Sequence, residues 1–362
     1  MNYFFAPFPN WIETMILSIS YNIIPSQYGL SLSPIILYSL IFAYCIVKTN
    51  RVISRKYSFW LLFVFCLPWI LIFNALPSRM IFCSWLFVFV MFTIFFYKRK
   101  NTNSLKITIF LSFMSALLIS IRSEYIVLLF FLPIIVYFSK MFSIKKLIIF
   151  LLIVCSFFIG SNFIQHKLGA FHYELHNLSF IYAEYLCTNM KDNQIEKKID
   201  ILNIVYKNPT CDSIWACADF DMSDNKQVLL TVNTLISFAF KNSLYFMKKH
   251  FDFFFKMDNW HFPATIISNY FLHFSPCGPS IISTILYSPM VSLFLLLISL
   301  IIGIIIKHEV FIWNFFVWLF ILCIILIFMG YYISFYFHSF IFNSWLMFVL
   351  SMINLFEHQN KK

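Results

Sequence analysis

The sequence predicts an all-α polytopic integral membrane protein with about nine transmembrane helices and one large external helical loop. Two observations predict this class. First, 61% of the 362 residues are hydrophobic and 11% are charged. The apolar residues gather in runs long enough to cross a bilayer, which takes about 20 residues per helix. Second, basic clusters follow alternate runs. Runs of this length are helical because a helix satisfies its own backbone polar groups in lipid.

The basic clusters set the predicted orientation. Loops rich in Lys and Arg face the cytoplasm, so the formal charge of +11 is mainly a signal of topology. A nucleic-acid surface is the weaker interpretation, because the clusters are short and separated by membrane, and no nucleic-acid partner is expected. The clusters fall within residues 48–56, 98–106, 140–146, 307 and 361–362.

The apolar runs divide the chain into four predicted parts. Residues 1–30 form an external juxtamembrane segment, 31–164 a membrane domain of six spans, 165–280 an external loop domain, and 281–362 a membrane domain of three spans with a short cytoplasmic tail. The predicted spans are 31–48, 58–76, 79–97, 107–121, 125–138, 147–164, 281–306, 310–330 and 333–355.

The external loop has a soluble-like composition. Residues 165–280 hold 11 of the 15 acidic residues and ten lysines, and a connection this long is expected to be functional. Four cysteines fall in it, at Cys187, Cys211, Cys217 and Cys277. They allow three pairings. One or two disulfides are favoured in an oxidising compartment, with Cys211–Cys217 the shortest; a zinc site is the alternative, but CxxC and closely spaced histidines are missing.

Other cofactors find little support in the sequence. Asp219, Asp221 and Asp224 cluster in the loop but lack the glycine and the terminal glutamate of a calcium loop, so no metal is predicted. The six glycines form no nucleotide-binding pattern. The sequence therefore predicts no cofactor, and it leaves the oligomeric state open.

Two charges stand inside the apolar stretch "LISIRSEYIVLL", residues 118–129, which contains Arg122 and Glu124. The flanking runs, 107–121 and 125–138, are each only about 22 Å long as helices, against a hydrocarbon core of about 30 Å. Their turn is therefore predicted to dip into the outer leaflet. A charge deep in a bilayer costs about 2.5–3.5 kcal/mol, so such residues usually face a functional cavity. A pair that merely neutralises itself is the alternative, although two-residue spacing on a helix disfavours direct contact.

The arginines are distributed unevenly. Three of the five lie in predicted cytoplasmic loops, whereas Arg79 and Arg122 fall at external helix ends. The planar guanidinium suits bidentate binding of phosphate. These two residues therefore suggest an anionic lipid headgroup such as a polyprenyl phosphate, with a snorkelling interfacial anchor as the alternative for Arg79.

Three stretches resemble one family. "LLISIRSEYIVLLFF" is similar to an "lRpE" helix turn, "FHYELHNLSFIY" to an "HDL" stretch that opens a large external loop, and "FKNSLYFMKKHFDFF" to a "kNPlyylkhR" segment in which His250 replaces the arginine. Together they resemble GT-C membrane glycosyltransferases, in particular the serotype-modifying glucosyltransferases of bacterial surface polysaccharides. The resemblance implies a protein of the bacterial inner membrane with its large loop in the periplasm.

The resemblance also implies a reaction. A sugar would pass from a polyprenyl-phosphate-linked donor to a surface glycan such as the O-antigen of lipopolysaccharide, with the donor as lipid substrate and the glycan as acceptor. A carboxylate must take the acceptor's proton while cations hold the leaving phosphate. Arg79 and Arg122 would bind the phosphate, and His172, His176 and His250 would contact substrate; a wetted helix face is the alternative for each histidine in the 172–176 pair.

The base is predicted to be Glu124, with Glu13 second. The family carries a catalytic aspartate in its first external loop, whereas the only carboxylate before residue 124 here is Glu13. Glu13 also has a structural interpretation, because Asn10 can cap a helix that Glu13 closes as a capping box. Partial burial of Glu124 would raise its pKa toward a useful value.

Two other functions compete with sugar transfer. An O-antigen polymerase acting on undecaprenyl-linked repeat units would use similar external Arg and His residues, with more spans. A flippase or transporter of lipid-linked oligosaccharides would carry mid-membrane charges and an internal repeat, and no repeat is seen.

Overall fold

The computed structural model describes residues 11–52, 55–66, 79–100, 105–121, 123–138, 142–167, 236–255, 288–328 and 338–359. These residues are almost entirely helical and none of them lies in a β-strand, so the predicted all-α class is confirmed. The helices are α1 (Trp11–Ile23), α2 (Gln27–Val52), α3 (Arg55–Phe65), α4 (Arg79–Lys100), α5 (Leu105–Ile121), a 3-10 helix (Ser123–Val127), α6 (Leu128–Phe138), α7 (Ile144–Lys167), α8 (Ser243–Phe255), α9 (Pro289–Ile305), α10 (Glu309–Phe328) and α11 (His338–Gln359).

Four stretches within these helices are long and apolar enough to cross a membrane. This finding supports the predicted membrane character. Other apolar helical stretches in the described residues have 10–17 residues, so nine crossings stay a prediction, although a described helix overlaps each predicted span. The four stretches are Tyr28–Arg51, Ile144–Ile164, Glu309–Ile327 and Ser339–Gln359.

The chain divides into two compact units. Unit 1 comprises Met1–Trp11, Phe163–Phe253 and Leu322–Ile333, and unit 2 comprises Ile12–Asn162, Phe254–Ile321 and Ser334–Lys362. In the described part of unit 1, residues 236–241 are helical, Asn242 forms a turn, and α8 follows. The Asn242 side-chain amide donates to the carbonyl oxygen of Phe238, which fixes this turn.

Helix α4 forms the core of unit 2. Its large side chains are buried on every face, including Trp85, Phe87, Phe92 and Phe95, none of which is exposed. A helix that is apolar all round belongs inside a bundle. It packs against α2, α5 and α11, while α3 packs against α2 and α11, and α9 packs against α11.

The packed helices of unit 2 have defined relative directions. Phe87 of α4 contacts Trp318 of α10, and Phe95 contacts Phe311 further along, so α4 and α10 are antiparallel. The contacts Tyr38–Trp85 and Tyr44–Phe89 show in the same way that α2 is parallel to α4. Helix α11 is antiparallel to α10, from Trp318–Phe340 and Asn314–Asn343, and antiparallel to α3, from Phe65–Phe342 and Phe63–Trp345. These are the directions that alternating basic loops predict.

Buried side-chain amides join α10 to α11. The Asn343 amide donates to the Asn314 side-chain oxygen at 2.9 Å, and the Asn314 amide returns the bond at 3.4 Å. Both side chains are fully buried. An unsatisfied polar group in this position would cost about 1–3 kcal/mol, so the reciprocal pairing specifies how these two helices meet.

One predicted boundary was wrong. The span 281–306 is not one continuous helix, because Ser288 has extended backbone angles and α9 begins at Pro289. The proline ring disfavours helical geometry at the preceding residue, and proline itself suits the first helical position, where no N–H bond is needed.

A tight turn joins α9 to α10. The His308 N–H donates to the Gly303 carbonyl at 2.8 Å, and Lys307 takes a left-handed backbone with φ of 53°. This is a Schellman-type end. The turn brings α10 so close that a Cβ placed on Gly303 would lie 2.7 Å from the Cβ of Phe311. Glycine at this position therefore permits the contact between the two helices.

We expect Gly303→Ala to lower the free energy of unfolding by about 1–3 kcal/mol, the usual cost of overpacking. The clash is with a Cβ, which cannot rotate away, so the helices must separate. Gly160→Ala is the matched control: a Cβ there has no atom within 4 Å, so the better helix former should be neutral or stabilising. Unfolding in mixed micelles by a denaturing detergent measures both, and equal effects would contradict the close-packing argument.

Candidate functional site

The structure places the backbone of three predicted site residues. Arg79 is the first residue of α4, Glu124 the second residue of the 3-10 helix, and Glu13 the third residue of α1. Their side chains lie outside the described residues, as do Arg122, His172 and His176 entirely. The predicted roles of these side chains therefore stay predictions, as do the disulfide and zinc interpretations of the four loop cysteines, which lie outside the described ranges too.

The Arg122–Glu124 stretch lies at a break between two short helices. Helix α5 has 17 residues and ends at Ile121; α6 has 11 residues and begins at Leu128. These lengths correspond to about 26 Å and 16 Å, both below the roughly 30 Å of hydrocarbon. The sequence predicts two spans of about 22 Å each; the first helix is longer than this and the second is shorter, because a 3-10 helix occupies residues Ser123–Val127. Short 3-10 segments are common connectors between helices.

Buried residues occur on both sides of Glu124 in the sequence. Ile121 is 4% exposed and Tyr125 is 3% exposed, and Val127 is also buried. Ile126, between Tyr125 and Val127, is 36% exposed, so this segment has one open position as well as buried ones.

Aromatic contacts attach this break to the core of unit 2. The ring of Tyr125 packs on that of Phe87 of α4, with centroids 5.7 Å apart, and the Phe87 ring packs on that of Trp318 of α10, with centroids 5.0 Å apart. Trp318 contacts Phe340 of α11 at 5.4 Å. Offset and edge-to-face pairs of this kind favour one geometry over others. The 3-10 helix therefore contacts α4 directly, and Phe87 of α4 in turn contacts α10.

The same region includes the first turns of α4. Phe87 lies eight residues after Arg79, or about 12 Å along the helix axis. Between them, the buried hydroxyl of Ser84 hydrogen-bonds to that of Ser339 at the start of α11. The structure thus brings the Glu124 segment to the half of α4 that begins at Arg79. Helix α11 also begins there.

The predicted base of second rank, Glu13, lies on a separate element. Helix α1 begins at Trp11, directly after Asn10, in the position that the capping interpretation requires. Ile12 is buried, whereas Met15 and Ile19 are about half exposed, so one face of α1 is covered and the other is open. These features agree with the capping role for Glu13 and leave its catalytic role a prediction.

His250 belongs to unit 1 and is described fully. Its ring is 2% exposed and stacks on Phe246, with centroids 6.0 Å apart. Its Nδ1 lies 2.6 Å from the carbonyl oxygen of Leu326 and must donate to it, which places a proton on Nδ1. This bond fixes the orientation of the imidazole ring relative to the backbone of Leu326. Its predicted contact with substrate stays a prediction.

Within the described ranges, no three His, Cys, Asp or Glu side chains converge as metal ligands would. The five cysteines among these residues, Cys45, Cys66, Cys83, Cys155 and Cys323, are free thiols. The described side chains near the helix break include the aromatic rings of Tyr125 and Phe87 and the hydroxyl groups of Ser84 and Ser339.

Sequence reasoning missed Trp318 and the serine pair. The indole N–H of Trp318 is fully buried and has no hydrogen-bond acceptor among the residues that the structure describes. A buried donor of this kind is costly and marks a position to test. Nothing in the spacing pairs Ser84 with Ser339, because 255 residues separate them.

Comparison with known proteins does not assign the chain. No protein family matches it, and no curated protein or solved structure resembles it at a significant level.

Proposed function

We propose that this protein transfers a sugar from a polyprenyl-phosphate-linked donor to a surface glycan at the external face of a bacterial inner membrane. One observation carries the proposal: the 3-10 helix that contains Glu124 packs through Tyr125 on the half of α4 that begins at Arg79. We place the carboxylate of Glu124 and the guanidinium of Arg79 at one site on this basis. This is the pairing that transfer from a lipid phosphate requires.

The reaction breaks the bond between C1 of the donor sugar and the phosphate oxygen, and it forms a bond from C1 to an acceptor oxygen. The acceptor hydroxyl loses its proton to a carboxylate, which we assign to Glu124. The leaving polyprenyl phosphate takes the electron pair, and Arg79 and Arg122 stabilise its charge. The proton and the charge are thus both accounted for without a metal or a nucleotide.

The helix lengths support a lipid-linked donor. The helices of 17 and 11 residues are both shorter than the hydrocarbon core, so we place the break between them within the bilayer, near a lipid phosphate. A soluble nucleotide sugar would need a site in water instead. The four apolar helices long enough to span a membrane agree with a substrate that arrives through lipid.

The test is a transfer assay with the purified full chain in vesicles. Undecaprenyl-phosphate glucose serves as the donor probe and a purified surface glycan as the acceptor. We expect the glycan to gain one hexose per modified repeat, with release of undecaprenyl phosphate in equal amount. Mass spectrometry of the glycan and extraction of the lipid give both values.

Two other results would reject the proposal in favour of a stated rival. A ladder of added repeat units from undecaprenyl-linked oligosaccharide would identify a polymerase. Movement of the lipid-linked probe across the vesicle membrane without a new glycosidic bond would identify a flippase. Donors carrying other sugars must be run in parallel, since the sequence leaves the sugar open.

A further inference from the structure

An apolar groove lies between α3 and α11, away from the helix break. Its volume is about 220 Å³, and every residue that lines it is apolar. Trp60 and Phe63 line it from α3, and Trp345, Met352 and Phe356 are among those that line it from α11. The groove is open, since Trp60 is 55% exposed and Phe356 43% exposed. An occupant that needed hydrogen bonds would find no partner there.

The two helices that form the groove are antiparallel. Phe65 of α3 contacts Phe342 of α11, and Phe63 contacts Trp345, so residue numbers increase along α11 as they decrease along α3. The Phe356 end of the groove therefore lies beside the start of α3, at Arg55. From Trp345 to Phe356 the groove follows 11 residues of α11, or about 16 Å. This length is close to half of a 30 Å hydrocarbon core.

The Phe356 end of the groove is the basic end. Helix α3 begins with Arg55 and Lys56, and Arg51, near the end of α2, is exposed. Glu357 of α11 is the acidic residue next to Phe356, and His358 follows it; Glu309, toward the same end of the bundle, begins α10. Positive charge therefore predominates where the groove meets the membrane surface.

The size of the groove selects a thin occupant. A helix with side chains is about 10–12 Å across, so 16 Å of it fills well over 1,000 Å³, and most of it would stand outside this groove. A cavity of about 150 Å³ accepts a benzene ring, so 220 Å³ suits part of a hydrocarbon chain. An acyl chain that spans one leaflet matches the length of the groove, which would hold part of its volume.

We infer that this groove binds one acyl chain of an anionic glycerophospholipid, whose headgroup phosphate lies at the basic end of the groove, where α2 ends near Arg51 and α3 begins at Arg55. The lipid belongs to the leaflet that the basic loops face, which is the opposite side from the proposed transfer site. The inference does not depend on the proposed function. It rests on the apolar lining, the antiparallel helices and the charge at one end of the groove.

Native mass spectrometry of the purified full chain in detergent tests the groove. The probes are dioleoyl phosphatidylglycerol and dioleoyl phosphatidylcholine, titrated separately. We expect one phosphatidylglycerol to stay bound, with an affinity at least fivefold above that of phosphatidylcholine. Met352→Trp fills the groove and should lower this affinity at least fivefold. Met290→Trp is the matched control, because Met290 is 51% exposed on α9 and does not line the groove.

The charge is tested by a second pair of variants. Each basic residue near an anionic lipid surface contributes about fivefold in affinity. Arg51→Gln with Arg55→Gln should therefore lower the preference for phosphatidylglycerol by between five- and about 25-fold. Lys106→Gln with Lys145→Gln is the control, since both lysines are exposed in other predicted cytoplasmic loops.

Several results would overturn the inference. Equal binding of the two lipids would contradict the headgroup contact. Equal retention of phosphatidylglycerol by Met352→Trp and by the unchanged protein would contradict binding in the groove. A lipid-free dimer that Met352→Trp dissociates would show that a second copy covers this face. Displacement of phosphatidylglycerol by equimolar undecaprenyl phosphate would assign the groove to the donor instead.

Discussion

Replacing Glu124 by glutamine is expected to lower sugar transfer by about 10²- to 10⁴-fold, the usual contribution of a general base. Glutamine keeps the shape of the side chain and cannot take the acceptor's proton. The buried neighbours Tyr125 and Val127 should hold the 3-10 helix in place in this variant. The measurement is glucose transfer in vesicles, with the amount of inserted protein checked by blot. Glu309→Gln, at the start of α10, is the matched control and should keep full activity.

Two further variants decide how Glu124 acts. If Arg122 and Glu124 only neutralise each other, the double change Arg122→Gln with Glu124→Gln should be tolerated better than either single change, because no unpaired charge remains. Rescue by the double change, or full activity of Glu124→Gln, would remove the catalytic role. Loss of activity in Glu13→Gln together with an active Glu124→Gln would move the base to Glu13.

Arg122→Lys separates charge from geometry. Lysine keeps the positive charge but loses the planar fork that binds phosphate through two hydrogen bonds. Activity should therefore fall while insertion into the membrane is unchanged. A phosphate site that needs only charge would leave Arg122→Lys active, and the bidentate contact would then be wrong.

The sequence predicted the class of fold because length and apolarity are enough to specify a helix in lipid. It also located the break after Ile121, where two charges interrupt the apolar run. It did not give the partners of each helix. Trp60 and Trp85 both lie in apolar runs, yet one is 55% exposed and the other fully buried. Since lipid and protein interior are both apolar, the pattern carries little information about which face is covered.

The candidate site shows the same limit. Arg79 and Glu124 were chosen because charges are rare in this chain, and this signal is local. The contact of Tyr125 with Phe87, and the bond between Ser84 and Ser339, depend on how distant helices meet. Serine and phenylalanine are common in apolar helices, so no residue type marked these positions. The start of α9 was missed for a different reason, because one proline overrode a long apolar pattern.

Trp85→Ala is expected to destabilise the fold by about 3–5 kcal/mol. The indole of Trp85 contacts Tyr38 of α2 at 4.7 Å, Phe65 of α3 at 5.9 Å and Phe342 of α11 at 4.5 Å. Its removal leaves a cavity where four helices meet. In lipid this loss is one of packing, since van der Waals contact holds such helices together.

Trp60→Ala is the matched control for this change. It removes the same side chain from α3, but Trp60 is 55% exposed, so no closed cavity forms and the cost should stay below about 1 kcal/mol. Unfolding by denaturing detergent in mixed micelles gives both free energies. Because Ser84 and Phe87 flank Trp85 on α4, loosening this junction should also displace the 3-10 helix and lower sugar transfer. If Trp85→Ala and Trp60→Ala cost the same, α4 is not the core of unit 2, and the link from this core to the candidate site fails with it.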